Sequence, residues 1–163
     1  RAADFEATCD DRAPGKPEWD PQEIIEWPVV LLDTRSLQIV DIYHTYIRPV
    51  EQPTLTAFCK QLTGIEQKLS IKVGDGLRTH HLTRDLAGIV FSEAYKGVIA
   101  FLQKHNLLND KLESAATAGG NLKTFAFVTC GDWDLRKMLP RQLELSGINV
   151  RCFIPVARLP HAS

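Results

Sequence analysis

Apolar and polar positions along the first fifty residues predict strands. Glu23-Ile24-Ile25-Glu26-Trp27-Pro28-Val29-Val30-Leu31-Leu32-Asp33 is rich in β-branched residues and predicts a buried strand. Asp33-Thr34-Arg35-Ser36 predicts a turn, and Ile39 to Arg48 resumes a strand that Pro49 ends. So short a turn makes the pair an antiparallel hairpin. Ahead of it, Asp4-Phe5-Glu6-Ala7-Thr8-Cys9 predicts a third strand, with Phe5 turned inward and both acids on the opposite side. Residues 10–22, broken by Pro14, Gly15, Pro17 and Pro21, predict a loop.

The period then lengthens. Thr54 to Leu62 predicts a short helix, with Pro53 and Thr54 at its start and Gly64 as its cap. Residues 66–92 carry no clear pattern, only glycines and a basic cluster of Lys72, Arg78, His80, His81 and Arg84. Ser92 reads as the N-cap of an amphipathic helix presenting Tyr95, Val98, Ile99, Leu102 and His105 on one face. Residues 109–123 predict a polar loop, Thr124 to Thr129 a buried strand, and Asp134 to Leu145 a helix ended by Gly147. Strands followed by helix, strand and helix indicate a layered α/β domain.

Composition narrows the classes. At 163 residues the chain predicts one domain, and an apolar fraction of 44% is enough for a core. The 19 basic and 20 acidic residues nearly cancel, so nucleic-acid binding would rest on a local site rather than a global field. Cys9, Cys59, Cys130 and Cys152 form no CxxC pair, which argues against a zinc ribbon or a thioredoxin-like motif and suits an intracellular location, in cytoplasm or nucleus. No apolar run has membrane-spanning length, so no membrane partner is expected. The absence of a starting Met, with a strand almost at residue 1, suggests a clipped N-terminus.

The candidate chemistry is acidic. Asp4 and Glu6 share one side of a strand and repel each other unless a cation sits between them. Hard oxygen ligands suit magnesium or manganese. A bare Asp-x-Glu is more often a solvated surface strand. Thr129-Cys130-Gly131-Asp132-Trp133-Asp134 adds a second acidic stretch where a strand hands over to a helix. A carboxylate there could complete a set holding two divalent ions roughly 3.5–4 Å apart. Taken singly, Asp134 is also a helix N-terminal charge and Trp133 a core aromatic.

These stretches together resemble the DEDDh 3′–5′ exonucleases, and within them the histone-mRNA and RNA-interference exoribonuclease branch. The resemblance rests on Asp4 to Cys9, Glu23 to Leu32, Tyr46-Ile47-Arg48-Pro49, Leu62-Thr63-Gly64-Ile65 and Cys130 to Asp134, and covers residues 4–67 and 91–148. It implies an RNase H-like fold, a mixed sheet of about five strands with the first three antiparallel, flanked by helices. It also implies hydrolysis of single-stranded RNA from its 3′ end, releasing nucleoside 5′-monophosphates with two Mg²⁺ or Mn²⁺ ions. Carried over, Asp4, Glu6 and Asp134 become the catalytic and metal-binding residues. Ala7 and Thr8 approach the terminal nucleotide, and Trp133 stacks on a base.

The family also has a third motif, a His with an Asp five residues later, which follows the second motif. The sequence ends at Ser163 without it, which implies reduced activity and a fold truncated at the C-terminus. His80 and Asp85 have the spacing but precede the second motif. The expected organisation is an exonuclease domain over 1–150, with an irregular insertion over about 68–90 and a divergent tail over 151–163. Both irregular stretches begin near a valine, Val73 and Val150, whose codons start with GT, so an intron read in frame would account for them. A non-catalytic RNA-binding module or inactive isoform of the same fold, and a DNA-trimming relative, are the alternative readings.

Overall fold

The computed structural model describes residues 4–11, 21–66, 88–118, 120–129 and 131–149. Among them a three-stranded antiparallel sheet has the order β1 (Glu6–Ala7), β2 (Ile24–Asp33), β3 (Gln38–Tyr46). The predicted hairpin forms almost as expected, with Glu26 opposite Tyr46 and Asp33 opposite Gln38. Asp33 closes its turn: the carboxylate accepts from the N–H groups of Arg35 (2.8 Å) and Ser36 (3.0 Å). One irregularity interrupts the ladder, because Leu31 faces Asp41 while Leu32 faces Ile39. β1 is shorter than its sequence suggested, and its register against β2 shifts between Glu6 and Ala7.

Helix α1 (Ala57–Thr63) starts later than expected because Thr56, not Thr54, is the cap. The Thr56 hydroxyl accepts from the Cys59 N–H at 3.0 Å. Gly64 ends the helix in the left-handed conformation (φ 68°) that favours glycine, donating to the Lys60 carbonyl. Helix α2 (Phe91–Lys104) begins at Val90, so Ser92 lies within its first turn instead of capping it. Its buried face carries Phe91, Ala94, Tyr95, Val98, Phe101 and Leu102. Gly97 lets α2 approach β3, since a Cβ there would collide with the Tyr43 hydroxyl, which itself donates to the Ala94 carbonyl at 3.1 Å. At the far end of α2, Lys104 and His105 both reach Asp41 at 2.8 Å.

Residues 109–123 hold a short helix, α3 (Ala115–Ala118), beside a single bridge between Leu108 and Ser114. The stretch 124–129, expected as a strand, has only single bridge positions at Phe127 and Thr129 among the described residues. The final helix has two parts, a wide π-turn over Asp134–Met138 and then α4 (Leu139–Leu145). Pro140 supplies the reason. It has no N–H to return to the preceding turn, so the ladder upstream widens and the Leu139 N–H reaches back five residues to the Asp134 carbonyl.

The main core lies between the sheet, α2 and α4. Trp27 is its centre, edge-on to Phe5 (5.2 Å) and stacked on Phe91 (5.6 Å). Ile25, Leu55, Cys59 and Ile65 form a smaller core under α1, with Cys9 and Tyr46 packed against it. No helix among the described residues is long and apolar enough to cross a membrane. The predicted pair His80 and Asp85, most of the irregular stretch 68–90 and the tail 151–163 lie outside the described residues.

Candidate active site

Phe5 anchors the acidic strand. Its ring is buried against Trp27, as the alternation predicted, and the flanking residues Asp4 and Glu6 are half-buried. The register shift after Glu6 then breaks the period. Thr8, which strict alternation would place on the side of Asp4 and Glu6, is instead fully buried. Its N–H donates to the Glu23 carbonyl at 2.8 Å, and its hydroxyl accepts from the Glu23 N–H at 2.9 Å. Thr8 therefore ties the motif strand to the start of β2, and Ala7 stays half-buried beside it.

Asp134 reaches the same strand from a distant part of the chain. It is buried at the head of the π-turn, where the Phe5 N–H donates to its carboxylate. Burial, and next the negative charge of Asp4, push its pKa up; the Phe5 N–H works in the opposite direction. A carboxylate raised by a like-charged neighbour marks a place where a cation would be favoured. π-turns inside helices recur at functional sites, and this one opens on Asp134 itself. Trp133, one residue earlier, is 54% exposed although it is a large aromatic. The core reading of Trp133 therefore gives way to a surface one. Cys130, the first residue of the second motif, lies outside the described residues.

Asp4 and Asp134 are thus brought together. Glu6 lies on the same strand, yet among the described residues no group of three or more His, Cys, Asp or Glu side chains forms a metal-holding set. Hard, paired carboxylates of this kind fit a divalent cation by donor chemistry and charge.

Two nearby residues escaped the sequence reading. Glu26 stands directly across from Glu6 in the ladder, and His44 on β3 holds the Glu26 carboxylate at 2.6 Å. The hairpin turn at Asp33 carried the signal, because its register sets His44 diagonal to Glu26. Glu23 is the other. Its buried carboxylate accepts from the N–H groups of Val50 (2.7 Å), Glu51 (2.9 Å) and Gln52 (2.9 Å), which fixes the loop after β3.

Residues 2–72 match the family model described as exonuclease. The chain is 37% identical over 147 residues to human "ERI1 exoribonuclease 3", covering 90% of this chain and 34% of that protein. It is 38% identical over 148 residues to the Drosophila melanogaster "3′-5′ exonuclease Snipper", covering 90% of this chain and 47% of that one. The chain thus spans about a third to a half of the length of these curated relatives. Among solved structures, the nuclease domain of 3′hExo, a DEDDh family member bound to rAMP, superposes with a TM-score of 0.61 at 31% identity, over 90% of this chain and 58% of that one. Cell-death related nuclease 4 gives a TM-score of 0.63 at 25% identity, over 90% of this chain and 39% of that one. The mixed α/β layers, the three-stranded antiparallel start and the nuclease neighbours make the fold RNase H-like. On the motif strand, the second acidic stretch and these likenesses together, the chain belongs to the DEDDh 3′–5′ exonuclease family, in its histone-mRNA and ERI branch.

Proposed function

We propose that this chain carries the exonuclease domain, over residues 1–150, of an intracellular metal-dependent 3′–5′ exoribonuclease. It releases nucleoside 5′-monophosphates from the 3′ ends of single-stranded RNA. The carrying observation is the meeting of Asp134 with Asp4 and the Phe5 N–H, which joins the two acidic motifs. Support for RNA as the substrate comes from relatives named exoribonucleases and from a neighbour whose structure concerns 3′-end recognition of a histone mRNA stem-loop.

In this reading Asp4, Glu6 and Asp134 hold Mg²⁺ or Mn²⁺, two ions in the complete site. When bound, the ions supply charge neutralisation at the scissile phosphate and a water of lowered pKa. The chain's own groups do the positioning. Phe5 and Thr8 pin the acidic strand, the π-turn presents Asp134, and Ala7 lies beside the terminal nucleotide. The exposed Trp133 ring offers a face on which a base can stack.

The test is a 5′-labelled single-stranded RNA incubated with the protein and magnesium, with a DNA oligonucleotide of the same sequence alongside. Stepwise 3′ shortening with release of 5′-monophosphates, abolished by chelation and by Asp4→Asn or Asp134→Asn, is the expected result. Chelation-insensitive cleavage, or products bearing 3′-phosphates, would overturn the reading. Faster trimming of the DNA would move the substrate from RNA to DNA.

A further inference from the structure

Just past the acidic strand, two thiols meet in the small core under α1. Cys9 leaves β1 half-buried, and Cys59 sits fully buried in the first turn of α1. Cys9 packs against the apolar cluster that holds Cys59, and both thiols are free. The surrounding backbone holds them in register. The Thr56 hydroxyl donates to the Cys9 carbonyl at 2.7 Å while accepting from the Cys59 N–H, and the Cys59 thiol leans on the Ala7 carbonyl at 3.6 Å. Strand exit and helix start are therefore fastened to each other on either side of the two cysteines.

We propose that Cys9 and Cys59 are a reversible disulfide site at which a peroxide cross-links the acidic strand to α1. In the first step one thiolate attacks the peroxide oxygen, giving a sulfenic acid and releasing water or an alcohol. In the second the other thiol displaces the sulfenic hydroxyl as water and forms the S–S bond. Two thiols lose two electrons and two protons in all, and the peroxide is reduced. Thiol exchange with a small dithiol returns both groups. Disulfides in reducing compartments are typically of this transient, sensing kind.

Burial first, then the neighbouring Cys59 and the negative charges of Glu6 and Asp10, push the Cys9 thiol up to about 12. Thiolate is scarce at neutral pH, so cross-linking by peroxide is slow there and accelerates as pH rises. The bond would close a loop from residue 9 to residue 59 and hold Ala7 to Cys9 against α1.

The experiment treats the full chain with hydrogen peroxide at pH 9, quenches free thiols with iodoacetamide, and maps peptides by mass spectrometry without reduction. A linked peptide joining Cys9 to Cys59, lost on dithiothreitol, is expected, together with a raised melting temperature for the oxidised protein. Cys9→Ser and Cys59→Ser should each abolish the linked species. Because the unsubstituted chain is read directly, a poorly folding variant does not obscure the result. The proposal is overturned if Cys9 and Cys59 are recovered alkylated while Cys130 or Cys152 is oxidised, or if the link forms only after unfolding in urea. None of these readouts depends on nuclease activity.

Discussion

Replacing Glu23 by Gln removes one oxygen and one negative charge from a buried side chain that serves three backbone donors. One carboxylate oxygen accepts from Val50 at 2.7 Å, and the other from Glu51 and Gln52, both at 2.9 Å. An amide keeps a single acceptor. Turned toward Glu51 and Gln52 it preserves two bonds in weaker, neutral form, and sets its own NH₂ against the Val50 N–H. Hydrogen bonds to charged groups contribute about 1.5–3 kcal/mol each, against about 1 kcal/mol for neutral ones. One charged bond lost and two weakened amount to roughly 2–4 kcal/mol, toward the lower end because the loop edge meets solvent. Urea unfolding followed by circular dichroism at 25 °C would measure it as a lower midpoint at unchanged slope. Glu51→Gln, at an exposed position, is the control and should stay within about 0.5 kcal/mol. A Glu23→Gln loss no larger than that control would refute the claim that this carboxylate holds the loop.

Three further expectations follow from the site and its anchor. The Asp134 pKa is raised on folding, so the folded state holds that proton to a higher pH than the unfolded chain, and stability falls as pH rises between the two values. Without divalent ions, Asp134→Asn should thus be more stable than the parent at neutral pH, with the gap closing below the ordinary carboxylate range near 3.8; a parent equally stable at pH 7 would contradict the burial and Asp4 repulsion. Trp133→Ala should weaken RNA binding by about 1–3 kcal/mol, the usual worth of a stacked base, while the melting temperature hardly moves because the ring is exposed. Trp27→Ala, at the junction of Phe5, Phe91 and Tyr95, should lower unfolding free energy by about 3–5 kcal/mol, measured in urea.

Local rules made much of this fold legible. Alternation and a short Asp-led turn placed β2 and β3 within a residue or two, and Gly64 marked the end of α1 because its left-handed backbone has a local cause. The inward Phe5 between two acids was legible for the same reason. What escaped depends on partners distant in sequence. Thr8 turns inward because β1 shifts register against β2, and no period along β1 alone encodes that shift. Stretch 124–129 has strong strand composition, yet among the described residues it shows only the bridge positions at Phe127 and Thr129. Ile39, Val40 and Ile42 look like core residues in sequence but are exposed on β3. The approach of Asp134 to Asp4 was read from a family resemblance, since no local pattern joins residues so far apart.

The π-turn at Asp134 makes helix pitch a functional variable. One extra residue sits in that wide turn, so deleting it would leave the positions upstream facing much as before, whereas tightening into ordinary α-helix with every residue kept would not. Every position upstream would then rotate by about 100° relative to Leu139, Gln142 and Leu143, which stay fixed by the core they fill. Asp134 would swing off Phe5 and Asp4, although no acidic side chain had been altered. The helix would be more regular and the carboxylate pair lost. Pro140→Ala, which restores the missing N–H and permits that tightening, is therefore expected to separate folding from chemistry more cleanly than a substitution of either acid.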